Sequence, residues 1–393
     1  MQDKTILQVI PNLHIGGAEQ TVLEITRAIV EAGGRALIAS AYNGSAYNAD
    51  DKNKNSVPSL APAIIAAGGE IITLPVASKN PFIMFANIKR LATIIRRYRV
   101  DIIHARSRAP AWSAYAAARK TGIAYLSTYH AKVHAHPALK RFYNSGLVRG
   151  QLVIANSQFT AAQIMRFHKV PPSHIRVIPR GCDIEALAPT TPAKTSRQAM
   201  RAKWNVSADD FVILCPARLT RWKGQHIAVA AIAEALKTQD KKNIKLVCVG
   251  GIETHNDYIQ TLSDLATRLG VAQNVILAGV ERDMRSVYGA SDVVVAPSIE
   301  AEPFGRIIIE AQAAGLAVIA SDAGGFRETV ADHAGWLVPP DDVAALGQCF
   351  ARAIMTPPKD LAAMGAIGCA YVASRYSDAL MCSRTLDVYR ELA

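Results

Sequence analysis

The chemistry in this sequence is concentrated in two carboxylates with seven residues between them, Glu302 and Glu310, in the segment SIEAEPFGRIIIEA (298–311). Glu310 stands inside an otherwise apolar stretch. Burying an unpaired charge is costly or shifts its pKa, so this carboxylate needs a partner. Two partners are open: an arginine in a purely structural pair, or the hydroxyls of a ribose, which dinucleotide folds hold with a carboxylate. Pro303 and Gly305 predict a helix start between the two acids, with the amides around Phe304 and Gly305 facing a ligand. On that placement Glu302 lies before the helix, able to reach a sugar hydroxyl, and Glu310 lies two turns inside it, able to clamp a ribose.

A basic constellation, PARLTRWKGQ (216–225), carries Arg218 and Lys223 just before a helix start at Gly224. Beside a helix N-terminus the two can neutralise a diphosphate, the arginine through paired hydrogen bonds and the lysine as a point charge. Solvated surface cations are the other reading. Near the start of the chain Gly16 and Gly17 open a helix, where small residues let amides approach an anion, although a Gly-Gly pair is often only a turn. His104, Arg106 and Arg108 follow one another at a strand end in DIIHARSR (101–108). The arginines suit an anionic acceptor; His104 either touches that acceptor or is a strand-end histidine hydrogen-bonded to backbone.

These residues need elements to hold them. Short β-rich runs at 5–10, 36–41, 71–74, 100–103, 123–127, 151–154 and 175–178 alternate with helical runs at 18–32, 82–98 and 109–120. A second series of strands, 211–215, 245–249, 275–278, 292–296 and 317–320, repeats the rhythm, with helices from 224, up to 269 and from 304. Such alternation predicts parallel sheets covered on both faces, with ligands at the carboxyl ends of the strands. The polar stretch 42–59 reads as a loop, and the Pro- and Thr-rich stretch 188–199 as a linker. The expected division is residues 1–188, residues 189–375 and a terminal helix at 376–393, with 362–392 helical and uninterrupted by proline.

The bulk numbers bound the function. A chain of 393 residues suggests two cores, and no apolar run is long enough to span a membrane. The start shows no export signal, and the six cysteines are scattered without metal-site spacing, so reduced cytosolic thiols are expected. Residues 1–188 carry 23 Lys+Arg and 10 Asp+Glu, a net +13, and the remainder carries −1. This asymmetry points the first half at something anionic. Candidates for a membrane-facing surface are Lys89, Arg90, Arg96, Arg97, Arg99, Lys132, Lys140 and Arg141.

The Glu-x7-Glu pair, with Gly16-Gly17-Ala18-Glu19, Ile178-Pro179-Arg180-Gly181, Arg218 and Lys223-Gly224, Val249-Gly250-Gly251, Gly324-Gly325 with Glu328, and Gly335-Trp336-Leu337-Val338, resembles glycosyltransferase family four over nearly the whole chain. The resemblance implies an α/β fold of the GT-B type: two Rossmann-like, doubly wound parallel-sheet domains facing a cleft, the first binding acceptor and the second nucleotide sugar, with C-terminal helices crossing back. It implies a retaining, metal-independent hexosyltransferase with no cofactor, using GDP-mannose or a UDP-hexose as donor. Arg218 and Lys223 would bind the diphosphate, Glu310 the ribose, and Glu302 with the Phe304 and Gly305 amides the sugar, while Gly16 and Gly17 close over the donor from the other domain. The family's Thr-x-His-Gly loop matches Thr128-Tyr129-His130-Ala131, which makes His130 and Glu302 the catalytic candidates. Ala131 departs from the usual glycine, and Arg180 from the usual asparagine.

The segments HARSRAPAW (104–112), TYHA (128–131) and RFYNSG (141–146) most resemble bacterial transferases of lipopolysaccharide-core assembly. The expected acceptor is therefore a glycan or lipid-linked cell-envelope precursor, met by a cytoplasmic protein bound peripherally at the inner membrane. The missing Asp-x-Asp triplet agrees with a metal-free site. Four other classes were weighed. A dehydrogenase would need GxGxxG after its first strand; a nucleic-acid binder leaves both glutamates without purpose, so no nucleic acid is expected; a silent sugar-nucleotide-binding protein would show no turnover; an epimerase of the same fold would consume donor without acceptor.

Overall fold

Among the described residues most strands are short apolar runs whose alternate residues enter different cores, and that pattern builds two parallel sheets. The computed structural model describes residues 1–14, 16–41, 59–130, 138–190, 192–193, 195–238, 243–251 and 257–393. Residues 42–58 of the expected loop at 42–59, and Ala131 and Lys132, lie outside them. Two compact units result: Met1–Arg180 with Asp378–Ala393, and Gly181–Ser377.

The first unit holds β1 (Thr5–Val9), β2 (Arg35–Ser40), β3 (Glu70–Thr73), β4 (Ile102–Ala105), β5 (Ala124–Tyr129), β6 (Leu152–Ala155) and β7 (Ile175–Val177) in the order β3-β2-β1-β4-β5-β6-β7. All pairs are parallel. Leu7, Val9, Ile103 and Ala105 face a core shared with the helices Pro81–Tyr98 and Arg108–Thr121, while Ile6 and Ile102 face Ile25 and Ile29 of the helix Gly17–Glu31. The terminal helix Asp378–Leu392 joins that second face through Met381, Leu386, Val388 and Tyr389.

The second unit holds β8 (Phe211–Pro216), β9 (Ile244–Val249), β10 (Val275–Gly279), β11 (Val293–Ala296), β12 (Ala317–Ser321) and β13 (Gly335–Val338), ordered β10-β9-β8-β11-β12-β13 and likewise parallel. Ile213, Leu246, Val293 and Ile319 enter one core; their neighbours Leu214, Val247, Val294 and Val318 enter the other. Strand order reverses between β1 and β4 in the first sheet and between β8 and β11 in the second, the points where open parallel sheets bind ligands.

The structure adds detail to the sequence reading at three places. The stretch 362–392 is two helices, Pro358–Arg375 and Asp378–Leu392. Between them Tyr376 is buried against Phe304, ring centroids 5.7 Å apart, and its carbonyl accepts from the Cys182 amide at 2.9 Å. That packing of Cys182 and Ile184 with Ile309, Ala313 and Tyr376 also keeps residues 181–188 in the second unit, so the observed division falls after Arg180 and after Ser377. Finally, the helix after β11 starts at Arg306 rather than at Phe304, placing Glu310 in its second turn. Gly305, at φ 100°, makes the turn into it, and a Cβ there would come within 2.5 Å of the Phe326 ring. Among the described residues no helix is long and apolar enough to cross a membrane.

Candidate active site

At the carboxyl edge of the second sheet the loops are bonded directly to one another. Leu219 N–H donates to Gly251 O at 2.9 Å, Ile299 N–H to Trp222 O at 3.0 Å, Gly250 N–H to Gly279 O at 2.7 Å and Gly325 N–H to Glu302 O at 2.8 Å. Such close backbone approach needs glycine. A Cβ on Gly224 would lie 1.9 Å from Pro297 O, and one on Gly324 2.3 Å from Glu302 O. The paired glycines and the Lys-Gly step of the sequence thus mark places where one loop rests on the next.

This frame joins residues far apart in sequence. Lys223, after β8, forms an ion pair with Glu302, after β11, so the pair spans the point of strand reversal. Ser298 Oγ donates to the same carboxylate at 2.9 Å, and the Lys223 ammonium lies 4.3 Å from the centroid of the Trp222 ring. Glu310 accepts from Arg306 Nε at 2.7 Å and from the buried Tyr288 hydroxyl at 3.0 Å. The carboxylate in the apolar segment therefore has its arginine, one turn earlier, yet it stays one-fifth exposed and can accept further bonds. Among the described residues, the Phe304 and Gly305 amides have no acceptor. Arg218 is exposed, and its carbonyl accepts from Gln225 Nε2 at 2.8 Å.

In the first unit the predicted residues separate into two kinds. His104 is fully buried, with Nδ1 bonded to the Tyr389 hydroxyl at 2.8 Å and Nε2 to Thr128 Oγ1 at 2.7 Å. Arg106 is 2% exposed and donates to Gln8 Oε1 through Nε at 2.9 Å and Nη2 at 2.6 Å. Both are committed to the fold, because every ring nitrogen and most of the guanidinium already has a partner; those of His104 are side-chain hydroxyls rather than backbone. Arg108 is half-buried at the start of its helix. His130 differs: both ring nitrogens are buried and, among the described residues, have no hydrogen-bond partner. Burial, with the positive charges of Arg180 and Arg106, drives its pKa well below the ordinary histidine value, so the imidazole is neutral at pH 7. Gly16 caps the helix Gly17–Glu31 in extended conformation, and the Glu19 side chain folds back to it. Burial raises the Glu19 pKa against the attraction of Arg180 and His14.

Two family models account for most of the chain: "Glycosyltransferase Family 4" matches residues 15–186 and "Glycosyl transferases group 1" matches residues 196–367. The crystal structure of a glycosyltransferase from Rickettsia africae ESF-5 is 30% identical, with a TM-score of 0.86, covering 100% of this chain and 99% of that one. The chain belongs to glycosyltransferase family four. Among curated relatives of this family, a D-inositol 3-phosphate glycosyltransferase of Segniliparus rotundus is 31% identical over 61% of this chain and 54% of its own length. A GDP-mannose-dependent monoacylated alpha-(1-6)-phosphatidylinositol monomannoside mannosyltransferase of Corynebacterium glutamicum is 29% identical over 76% of this chain and 78% of its own. The chain spans about half the length of the first of these.

Seen as a family-four glycosyltransferase, the chain holds partners that the sequence reading passed over. Arg306 stands four residues before Glu310, a spacing that brings side chains together on a helix and was legible. Ser298 lies in a loop without periodicity, and Tyr288 is twenty-two residues from Glu310, so neither gave a signal. Glu19 and Arg180 were visible only as parts of motifs; the structure makes them electrostatic neighbours, and makes Arg180 a neighbour of His130.

Proposed function

We propose that this protein transfers a hexose from a nucleotide-sugar donor to a glycan or lipid-linked acceptor and keeps the donor's anomeric configuration. The observation that carries the reading is the Lys223–Glu302 pair across the β8/β11 reversal, with two unsatisfied amides and the ribose-type carboxylate Glu310 beside it. A diphosphate brings negative charge to Lys223 and Arg218 and draws the ammonium from Glu302. Glu302, still bonded to Ser298, then accepts from sugar hydroxyls while the Phe304 and Gly305 amides donate. Glu310, oriented by Arg306 and Tyr288, accepts from the ribose. In the transfer the bond between the anomeric carbon and the phosphate oxygen breaks, the acceptor oxygen bonds to that carbon on the same face, and its proton passes to the departing phosphate. Lys223 and Arg218 stabilise the negative charge that develops there, without a metal ion. His130 supplies a neutral imidazole to the transferred sugar, and Gly16 and Gly17 serve the donor.

The donor is GDP-mannose or a UDP-hexose and the acceptor a cell-envelope precursor such as the lipopolysaccharide core. The Corynebacterium glutamicum relative, by its name GDP-mannose-dependent and acting on a phosphatidylinositol mannoside, supports a lipid-linked acceptor. The protein works in the cytoplasm, held peripherally at the inner membrane by Lys89, Arg90, Arg96, Arg97, Arg99, Lys140 and Arg141, all exposed. Each such cation near an anionic leaflet contributes about 1 kcal/mol. The test is turnover of GDP-mannose and UDP-hexoses with and without a lipid-linked envelope extract, in EDTA. Acceptor-dependent release of nucleoside diphosphate is expected; no turnover of any donor, or turnover that needs a divalent ion, contradicts the reading.

A further inference from the structure

We propose that the first unit carries a binding groove for the hydrocarbon tail of an anionic amphiphile, between the helices Pro81–Tyr98, Arg108–Thr121 and Ala138–Asn144. Naming that amphiphile as the lipid-linked acceptor rests on the transferase reading; the groove itself does not. The cavity has a volume of about 1200 Å³, and its walls include Met84, Phe85, Ile88, Trp112, Ala116 and Phe142. Pockets for small ligands run to about 300–1,000 Å³, so the space is ample for a chain. Phe82, Phe85, Leu139 and Phe142 around it are 85%, 64%, 78% and 59% exposed. Apolar side chains left in water this far, and this close together, mark a surface that meets an apolar partner.

The groove is built rather than a gap between loose helices. The Trp112 indole donates to Tyr143 O at 2.8 Å, packs 5.1 Å from the Phe142 ring and carries the Arg149 guanidinium 4.6 Å from its centroid. Ser113 Oγ donates to Met84 O at 2.9 Å, tying two of the three helices together. Gly146 lets the indole lie there, since a Cβ at that position would come within 2.9 Å of Trp112 Cδ1.

Charge selects the occupant. Lys79, Arg108 and Lys140 stand on the cavity wall, and Lys89 lies 5.9 Å from the Phe85 ring centroid. Between Glu70 and Asp183 the chain has eighteen lysines and arginines and one carboxylate, Asp101. That carboxylate is held by Lys4 and the Thr5 amide just before β4, whereas Arg108 follows β4 at its other end. Among the described residues no acidic side chain lines the groove, so the charges an anionic head meets there are cationic. Arg108 also lies close enough to act on the Tyr129 hydroxyl, next to His130, which puts a head group held by Arg108 near the reacting end of this unit. A free sugar finds mostly hydrocarbon on these walls, and a second strongly basic copy of the unit would be repelled.

The test is calorimetric titration of the whole protein with monomeric dodecyl phosphate, alongside GDP and UDP. Saturable binding of one dodecyl phosphate is expected. It should weaken at least tenfold in Phe85→Asp and Phe142→Asp, exposed sites that leave the core intact, and in Ala116→Phe, which fills the groove; nucleotide affinity should not change. Equal binding in wild type and all three variants, no binding to wild type, or partition onto phosphatidylglycerol vesicles without binding of the monomer would overturn the groove. Nucleotide binding without dodecyl phosphate binding defeats the groove alone; dodecyl phosphate binding without nucleotide turnover defeats only the transferase reading.

Discussion

At the carboxyl end of β4 the charged and polar groups of the first unit are closed in on themselves: Arg106 is spent on Gln8, and His104 on Thr128 and Tyr389. At the carboxyl end of β11 in the second unit, the Lys223 and Glu302 side chains keep 13% and 9% exposure, and those of Arg306 and Glu310 about a fifth. The same place in the same kind of sheet is thus used in two ways. Buried charges with complete partners fix a structure and have nothing left to give. Partly exposed pairs at a strand reversal can trade partners with an anionic ligand at little cost in reorganisation.

The largest effect that would break this contrast is expected at Gly224, where an added Cβ meets backbone rather than a movable side chain. Gly224→Ala should destabilise the second unit by about 3 kcal/mol and abolish nucleotide binding, read by chemical denaturation and calorimetry. Arg106→Ala should cost about 1.5–3 kcal/mol of stability by removing a buried charged donor from Gln8, while nucleotide affinity of the folded protein stays unchanged. Loss of nucleotide binding in a stable Arg106→Ala protein would erase the distinction between the units. Tyr288→Phe removes one hydrogen bond from Glu310 and should weaken nucleoside diphosphate binding by about 1 kcal/mol, with kcat less affected.

The smallest expected effect is a pH slope from the two most deeply buried histidines of the first unit. Burial holds both His104 and His130 well below the histidine value of 6.5. Below that pH the unfolded chain binds protons that the folded one refuses, so the stability they contribute is full above about 6.5 and is lost as pH falls. Thermal scans should show this decline, and His104→Gln should flatten it; an unchanged slope in that variant would assign it elsewhere.

Much of this was legible because parallel strands buried on both faces leave near-continuous apolar runs, and because loops in backbone contact demand glycine. The Glu302–Glu310 spacing was legible directly, although the helix between them starts at Arg306. What could not be read depended on tertiary packing. The start of the terminal helix was expected at 376, but what makes the break there, the burial of the Tyr376 ring against Phe304, has no Gly or Pro to announce it. Arg106 and Arg108 looked alike in sequence, yet one points into the sheet network and the other stands at a groove. Two residues of separation at a strand end decide that, and nothing in composition records it.

The most direct measurement is calorimetric titration of GDP and UDP into the wild type, Lys223→Ala, Arg218→Ala and Glu310→Gln. One nucleoside diphosphate should bind the wild type. Lys223→Ala should lose on the order of 2–5 kcal/mol by leaving phosphate charge unpaired, with clear losses in the other two variants. Wild-type affinity in all three variants would contradict the assignment of the nucleotide site to the carboxyl edge of the second sheet.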